Sequence, residues 1–179
     1  RLEALLSAAP DKSQQAERVI EEIEKELQVT YAGHQREAVR LFRCGRGMAN
    51  GFAPQSAQRL KNLLLYVLGQ MGESFQTKMN KVLFYIDFLS YRERGMAISG
   101  LAYQAIEFGP VPLRWDRVYS AFDEVEEQLR LVQGQECMSL KAGADADMCG
   151  FSEGEMAVID QVCLRFKDLT SREVSKLSH

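Results

Sequence analysis

The stretch "KMNKVLFYIDFLSYRERG", residues 78–95, places apolar and aromatic side chains on nearly every side of a predicted helix. A helix that is apolar all round is buried at the centre of a domain. Thr77 is a candidate N-cap for this helix, and Gly95 is a typical residue to end it. We therefore expect a central helix from about residue 77 to Arg94, with the rest of the fold packed around it.

Asp87 is the unusual polar residue of this helix, because its apolar neighbours predict that it is buried. A buried carboxylate must be paired or accept hydrogen bonds, since leaving it alone costs several kcal/mol. Tyr91, one turn later, is a local candidate donor, and Tyr103 or free N–H groups near Gly109 are candidates from further along the chain. Asp87 either fastens the central helix to the segment around Gly109 or contacts a partner directly.

A rigid corner follows in "AIEFGPVPLRW", residues 105–115. Gly109 can take a positive φ without steric cost, while Pro110 and Pro112 each fix φ and lack a backbone donor. Val111 precedes a proline and is therefore extended. This corner either only shapes the fold or presents a binding surface, since binding residues are often placed on rigidly held loops.

Pro112 is also a favourable first residue for a helix. Apolar residues recur beyond it with roughly helical spacing, at Leu113, Trp115, Val118, Tyr119 and Phe122. The sequence thus predicts that the corner joins a strand to a helix.

The remaining patterns predict an α+β domain that is predominantly helical, with a small sheet or hairpin. Residues 96–108 have the composition of an extended segment, and residues 128–142 that of a hairpin about Gly134. Helices are predicted over 55–71, over 152–166 and from Thr170 to near His179. The last two begin with capping boxes, Ser152 with Glu155 and Thr170 with Glu173.

Residues 1–50 are predicted to form a helical extension or connector before a domain over 51–179. The boundary lies in the glycine-rich segment 44–55, and residues 11–42 read as a helix with one apolar stripe. This stripe has no evident partner. It could pack on the rest of the chain, on a second copy as a homodimer, or on sequence upstream.

The composition excludes several classes of protein. Among 179 residues, 46% are hydrophobic and 26% charged, which is ordinary for a globular domain. The net charge of −3 argues against a nucleic-acid groove, and the apolar runs are too short to cross a membrane. Four scattered cysteines favour neither a zinc site nor disulfides, so we expect reduced thiols and a cytoplasmic protein. Because the chain begins at Arg1, we expect it to be a fragment.

Catalytic motifs are not evident. The two histidines, His34 and His179, lie on a charged helix and at the last position, and no nucleophile elbow, phosphate-binding loop or HExxH pair occurs. The glycines of "CGRGMANG" lack the strand that a nucleotide-binding loop requires. We expect a protein that is not an enzyme and uses neither a cofactor nor a metal.

The chain resembles the Panacea domain, or SocA-like antitoxin domain, of type II toxin-antitoxin systems. The resemblance is strongest in "KMNKVLFYIDFLSYRERG" and in "ISGLAYQAIEFGPVP", and it extends through "SEGEMAVIDQVCLRF" over about residues 50–179. Relatives often carry an upstream helix-turn-helix, some with a zinc-binding ribbon, and neither is visible here. Relatives also commonly continue beyond "LSH".

The resemblance implies a module that neutralises a cognate toxin by direct binding, with promoter DNA bound only through an upstream domain. Aromatic side chains on a preorganised frame suit such an interface. The candidate toxin-binding or site-shaping residues are Tyr85, Asp87, Tyr91, Tyr103, Phe108, Gly109, Pro110, Val111, Pro112 and Trp115.

Two other functions stay open at this point. One is a DNA-binding autorepressor, whose binding would weaken steeply with salt. The other is an adaptor that delivers a toxin to a protease, which would shorten the lifetime of the toxin in cells.

Overall fold

The computed structural model describes residues 41–42 and 45–177. It confirms the predicted α+β class: four α-helices and two small antiparallel sheets are found in the part of the chain that it describes. Nearly all of the predicted helix over 11–42 lies outside the described residues. The elements are α1 (Ala57–Met71), β1 (Ser74–Phe75), α2 (Gln76–Arg94), β2 (Tyr103–Ile106), β3 (Gly109–Pro112), β4 (Val125–Val132), β5 (Gln135–Ala142), α3 (Glu153–Phe166) and α4 (Ser171–Lys176).

Helix α1 forms where its apolar periodicity predicts it. Ser56 caps it by accepting a hydrogen bond from the N–H of Arg59, and the helix ends before Gly72. All five residues predicted to point inward are buried: Leu60, Leu63, Leu64, Val67 and Leu68.

Helix α2 is the predicted central helix, and it ends at Arg94 as expected, with the N–H of Gly95 bonded to the carbonyl of Tyr91. The predicted cap at Thr77 is wrong. Phe75 is the extended residue before the helix, because Ser74 and Phe75 pair with β5 as the short strand β1. Burial on every side is also wrong, since the Phe88 side chain is exposed.

The larger sheet has the strand order β1, β5, β4, and all its neighbours are antiparallel. The hairpin predicted about Gly134 is confirmed, and β4 begins earlier than expected, at Val125. Gln133 and Gly134 form its two-residue loop, and both have positive φ (52° and 81°). Positive φ at both positions is the requirement of the tight hairpin turn whose twist matches the strands.

The second sheet is the hairpin of β2 and β3, and here two predictions change. Only Tyr103–Ile106 of the predicted extended segment 96–108 forms a strand, because bends occur within residues 96–99 and Glu107 and Phe108 form a turn.

The helix predicted from Pro112 to Phe122 is wrong. Pro112 pairs with Tyr103 as the last residue of β3, and turns follow in its place. Val118, Tyr119 and Phe122 are nevertheless buried in the core.

Helices α3 and α4 begin with the two predicted capping boxes. The backbone N–H of Ser152 donates to the Glu155 carboxylate at 2.8 Å, and that of Thr170 donates to the Glu173 carboxylate at 2.8 Å. In return, each hydroxyl accepts from the N–H three residues on. Helix α3 contacts α1 and α2, so the first three helices enclose the main core with β5. In the described ranges, none of the helices is both long and apolar enough for a membrane span.

Candidate protein-binding groove

A groove of about 640 Å³ lies between the β2–β3 hairpin, the first turns of α2 and the short helix α4. We call it the corner groove. One wall is apolar and comes from the hairpin and the turn after it; the other wall is polar and comes from α4. The residues that line it are Thr77, Asn80, Lys81, Ile106, Phe108, Val111, Trp115, Gln135, Ser171, Arg172 and Ser175.

The apolar wall is built by the glycine-proline corner of the sequence. Glu107 and Phe108 form the two-residue loop between β2 and β3, and Gly109 follows with φ 91°, which favours glycine. Phe108 is 61% exposed at this loop, whereas Val111 is buried in the wall. Two prolines fix φ at their own positions in β3, which restricts the strand that follows the loop.

Trp115 lies in the turn that follows β3 and also lines the groove, and its side chain is 40% exposed. Its backbone is fixed on both sides: its N–H donates to the carbonyl of Pro112 at 3.0 Å, and its carbonyl accepts from the Gln76 side chain at 2.9 Å. The backbone of Trp115 is thus held beside the groove by Pro112 of β3 and by Gln76, the first residue of α2.

Lys81 joins α2 to the corner. Its side-chain nitrogen donates to the carbonyl of Pro110 at 2.8 Å, and the residue is only 1% exposed. Burial lowers the pKa of Lys81, because a charged ammonium is disfavoured away from water. This hydrogen bond ties strand β3 to the central helix α2.

Asp87 lies behind the groove, 4% exposed, and is fully hydrogen-bonded. Its Oδ1 accepts from the N–H groups of Ile98 and Ser99, both at 2.7 Å. Its Oδ2 accepts from the hydroxyl of Tyr103 at 2.6 Å and from that of Ser99. Burial raises the pKa of Asp87, and these hydrogen bonds oppose that rise. The carboxylate therefore fastens residues 98–99 and β2 to α2.

Of the donors predicted for Asp87, Tyr103 is present. Tyr91 is not a partner; it is exposed further along α2, beside Gly51. The N–H groups that reach Asp87 come from Ile98 and Ser99 rather than from the region of Gly109.

The predicted site residues fall into three groups. Phe108, Val111 and Trp115 line the corner groove, and Gly109, Pro110 and Pro112 form the backbone of its wall. Tyr85, Asp87 and Tyr103 support the fold behind it; the hydroxyl of Tyr85 donates to the carbonyl of Leu177 at 2.7 Å. Tyr91 does not line the groove.

Sequence reasoning missed Ile106, Lys81 and Arg172. The alternation of β2 could have indicated Ile106, whose side chain is exposed. Lys81 gave a weaker signal, as a lysine inside an apolar helix. Arg172 gave none, because only the folded chain brings α4 beside the hairpin.

An α+β domain with a rigid, partly aromatic groove has the features of a protein-binding module, since exposed aromatic side chains on a preorganised frame are typical anchors of interfaces. The model of the family described as "Antitoxin SocA-like, Panacea domain" matches residues 79–179. This match covers more than half of the chain, which therefore belongs to that family. It confirms the resemblance seen in the sequence. Comparison with curated proteins and with solved structures gave no match.

Proposed function

We propose that this protein neutralises a cognate toxin by binding it directly, and that the corner groove is the contact surface. The family is one of antitoxin-like domains, which favours a toxin as the partner. The observation that carries the choice of surface is the pair Phe108 and Trp115, both exposed and both lining one groove.

Rigidity of the corner makes these two side chains effective anchors. Ordering a loop or a side chain during association costs about 0.5–1.5 kcal/mol per immobilised group. At the corner, Pro110, Pro112 and the hydrogen bond from Lys81 already restrict the backbone of β3 in the free protein, so that part of the cost is smaller. The toxin would then bind a surface whose shape is set before contact.

The proposed mechanism is occlusion. A segment of the toxin would insert an apolar side chain between Phe108 and Trp115, and Ile106 and Val111 would add apolar surface to the same groove. Covering the toxin surface would block its activity without any bond being made or broken. We infer that the protein acts through binding and not through catalysis.

The test is co-expression of the full chain with the protein encoded beside it, read as growth of the cells and as co-purification of the complex. Wild type should restore growth and co-purify with the toxin. The double variant Phe108→Ala/Trp115→Ala should do neither, while Leu164→Ala, which alters an 80% exposed leucine of α3, should behave as wild type. If wild type forms no complex with the toxin, the proposed function is wrong.

A further inference from the structure

Among the described residues that line it, the corner groove has positive side chains and no negative ones. Lys81 of α2 and Arg172 of α4 both line it, while the eleven residues that line it include neither Asp nor Glu. Lys81 donates to a carbonyl and not to a carboxylate. The described part of the chain also holds no carboxylate within ion-pairing distance of the exposed Arg172 guanidinium.

A second groove, of about 590 Å³, shares Thr77, Gln135, Ser171 and Arg172 with the corner groove. Glu73 lies in this second groove, but its carboxylate is already paired with Arg130 and bonded to Ser139. Within the described residues 41–42 and 45–177, Arg172 is therefore a cation without a carboxylate partner, and it lies where the two grooves meet. Two grooves with a shared border suit an extended segment of a partner.

We propose that the corner groove takes an Asp or Glu side chain of the toxin, next to an apolar side chain in the same segment. This inference rests on the proposed function. The carboxylate binds the Arg172 guanidinium, whose planar donors match it in a two-bond geometry, and the buried Lys81 adds positive charge to the same groove. The neighbouring apolar side chain packs between Phe108 and Trp115.

The corner favours an acidic side chain over the carboxylate at the end of a chain. A terminal carboxylate is usually captured by successive backbone N–H groups. Pro110 and Pro112 lack that group, so half of the residues of β3 have none to offer. The side-chain cations Lys81 and Arg172 are then the stronger candidates for binding an anion in the groove.

The test selects random twelve-residue peptides displayed on phage against the immobilised full chain. Peptides with Asp or Glu beside Leu, Ile, Phe or Trp should be enriched. A synthetic peptide from this set should bind Arg172→Glu roughly 10- to 100-fold more weakly than wild type, as expected for a lost charge-assisted bond. A selection without acidic enrichment overturns the inference.

Lys176→Glu is the matched control, because it makes the same charge change on α4 outside the residues that line the groove. It should leave peptide affinity unchanged. Arg172→Glu should keep its fold, since an acidic residue is favourable in the first turn of a helix. An equal loss of affinity in both variants would indicate a general charge effect and would contradict the inference.

The same variants, measured against the toxin, separate this inference from the proposed function. If Phe108→Ala/Trp115→Ala abolishes toxin binding and Arg172→Glu leaves it unchanged, the toxin uses the groove but the acidic contact is wrong. If acidic peptides depend on Arg172 but the toxin does not bind the chain, the groove chemistry stands and the proposed function fails.

Discussion

The hydroxyl of Tyr103 donates to the carboxylate of Asp87 at 2.6 Å and so ties the first residue of β2 to the middle of the central helix. Ser99 donates to the same oxygen. The hairpin that presents the corner groove thus depends on a buried acidic residue that does not itself line the groove.

Asp87→Ala should destabilise the domain rather than weaken binding by the folded protein. The variant leaves the N–H groups of Ile98 and Ser99 without their acceptor, and each buried unsatisfied group costs about 1–3 kcal/mol. Urea melts should show a loss of about 3 kcal/mol, whereas Glu93→Ala on the same helix should stay within about 0.5 kcal/mol of wild type. A variant that melts like wild type yet fails to neutralise the toxin would show that the structural role is wrong.

The cysteines should differ in reactivity. Burial, helped by the charge of Asp160, raises the pKa of the Cys163 thiol to about 12. The hydrogen bond with Asp147 also raises the pKa of Cys149, but Cys149 is exposed to the reagent. Because the thiolate is the reactive form, the reactive fraction of Cys163 is about a thousandfold below that of an ordinary thiol. Site-resolved mass spectrometry after thiol labelling at pH 8 should find Cys149 modified in the native protein and Cys163 only in urea. Rapid native labelling of Cys163 would contradict the packing of α3.

The apolar stripe of residues 11–42 should promote self-association, because symmetric dimers are the commonest oligomers. Ile23→Glu should abolish it without loss of the domain, and Glu24→Lys, at a charged position beside the stripe, serves as control. Sedimentation velocity measures the outcome. If the wild-type chain sediments as a monomer, this prediction is wrong.

Local signals in the sequence predicted much of the fold. The capping boxes and the hairpin turn each depend on residues that are close together in the sequence, so they could be predicted without tertiary information. These are Ser152 with Glu155, Thr170 with Glu173, and the turn at Gly134. Pro112 was wrongly predicted to begin a helix, because the apolar residues after it have helical spacing. In the structure it pairs with Tyr103 in the β2–β3 hairpin instead.

The groove itself could be predicted only in part, because some of its residues come together only in the folded chain. Phe108 and Trp115 stand out in the sequence beside the proline corner. Arg172 becomes part of the groove only when the chain folds, because α4 reaches the hairpin across the surface of α2.

Pro110→Ala/Pro112→Ala should cost stability and affinity separately. Each proline restricts the unfolded chain, so the double variant should lose about 0.4–1 kcal/mol of stability per site. Toxin affinity should fall further, by about 0.5–1.5 kcal/mol per group that is newly ordered on binding. Calorimetry, corrected for the folded fraction from urea melts, separates the two losses. Unchanged affinity would confine the corner to shaping the fold.

The most direct test of the proposed surface is the dissociation constant of the toxin complex for Phe108→Ala/Trp115→Ala, measured by calorimetry beside wild type and Leu164→Ala. Interface anchors of this kind cost about 2 kcal/mol or more when truncated, so the double variant should bind at least about a hundredfold more weakly. Leu164→Ala should match wild type. A double variant that is folded and binds the toxin as tightly as wild type would show that the corner groove is not the contact surface.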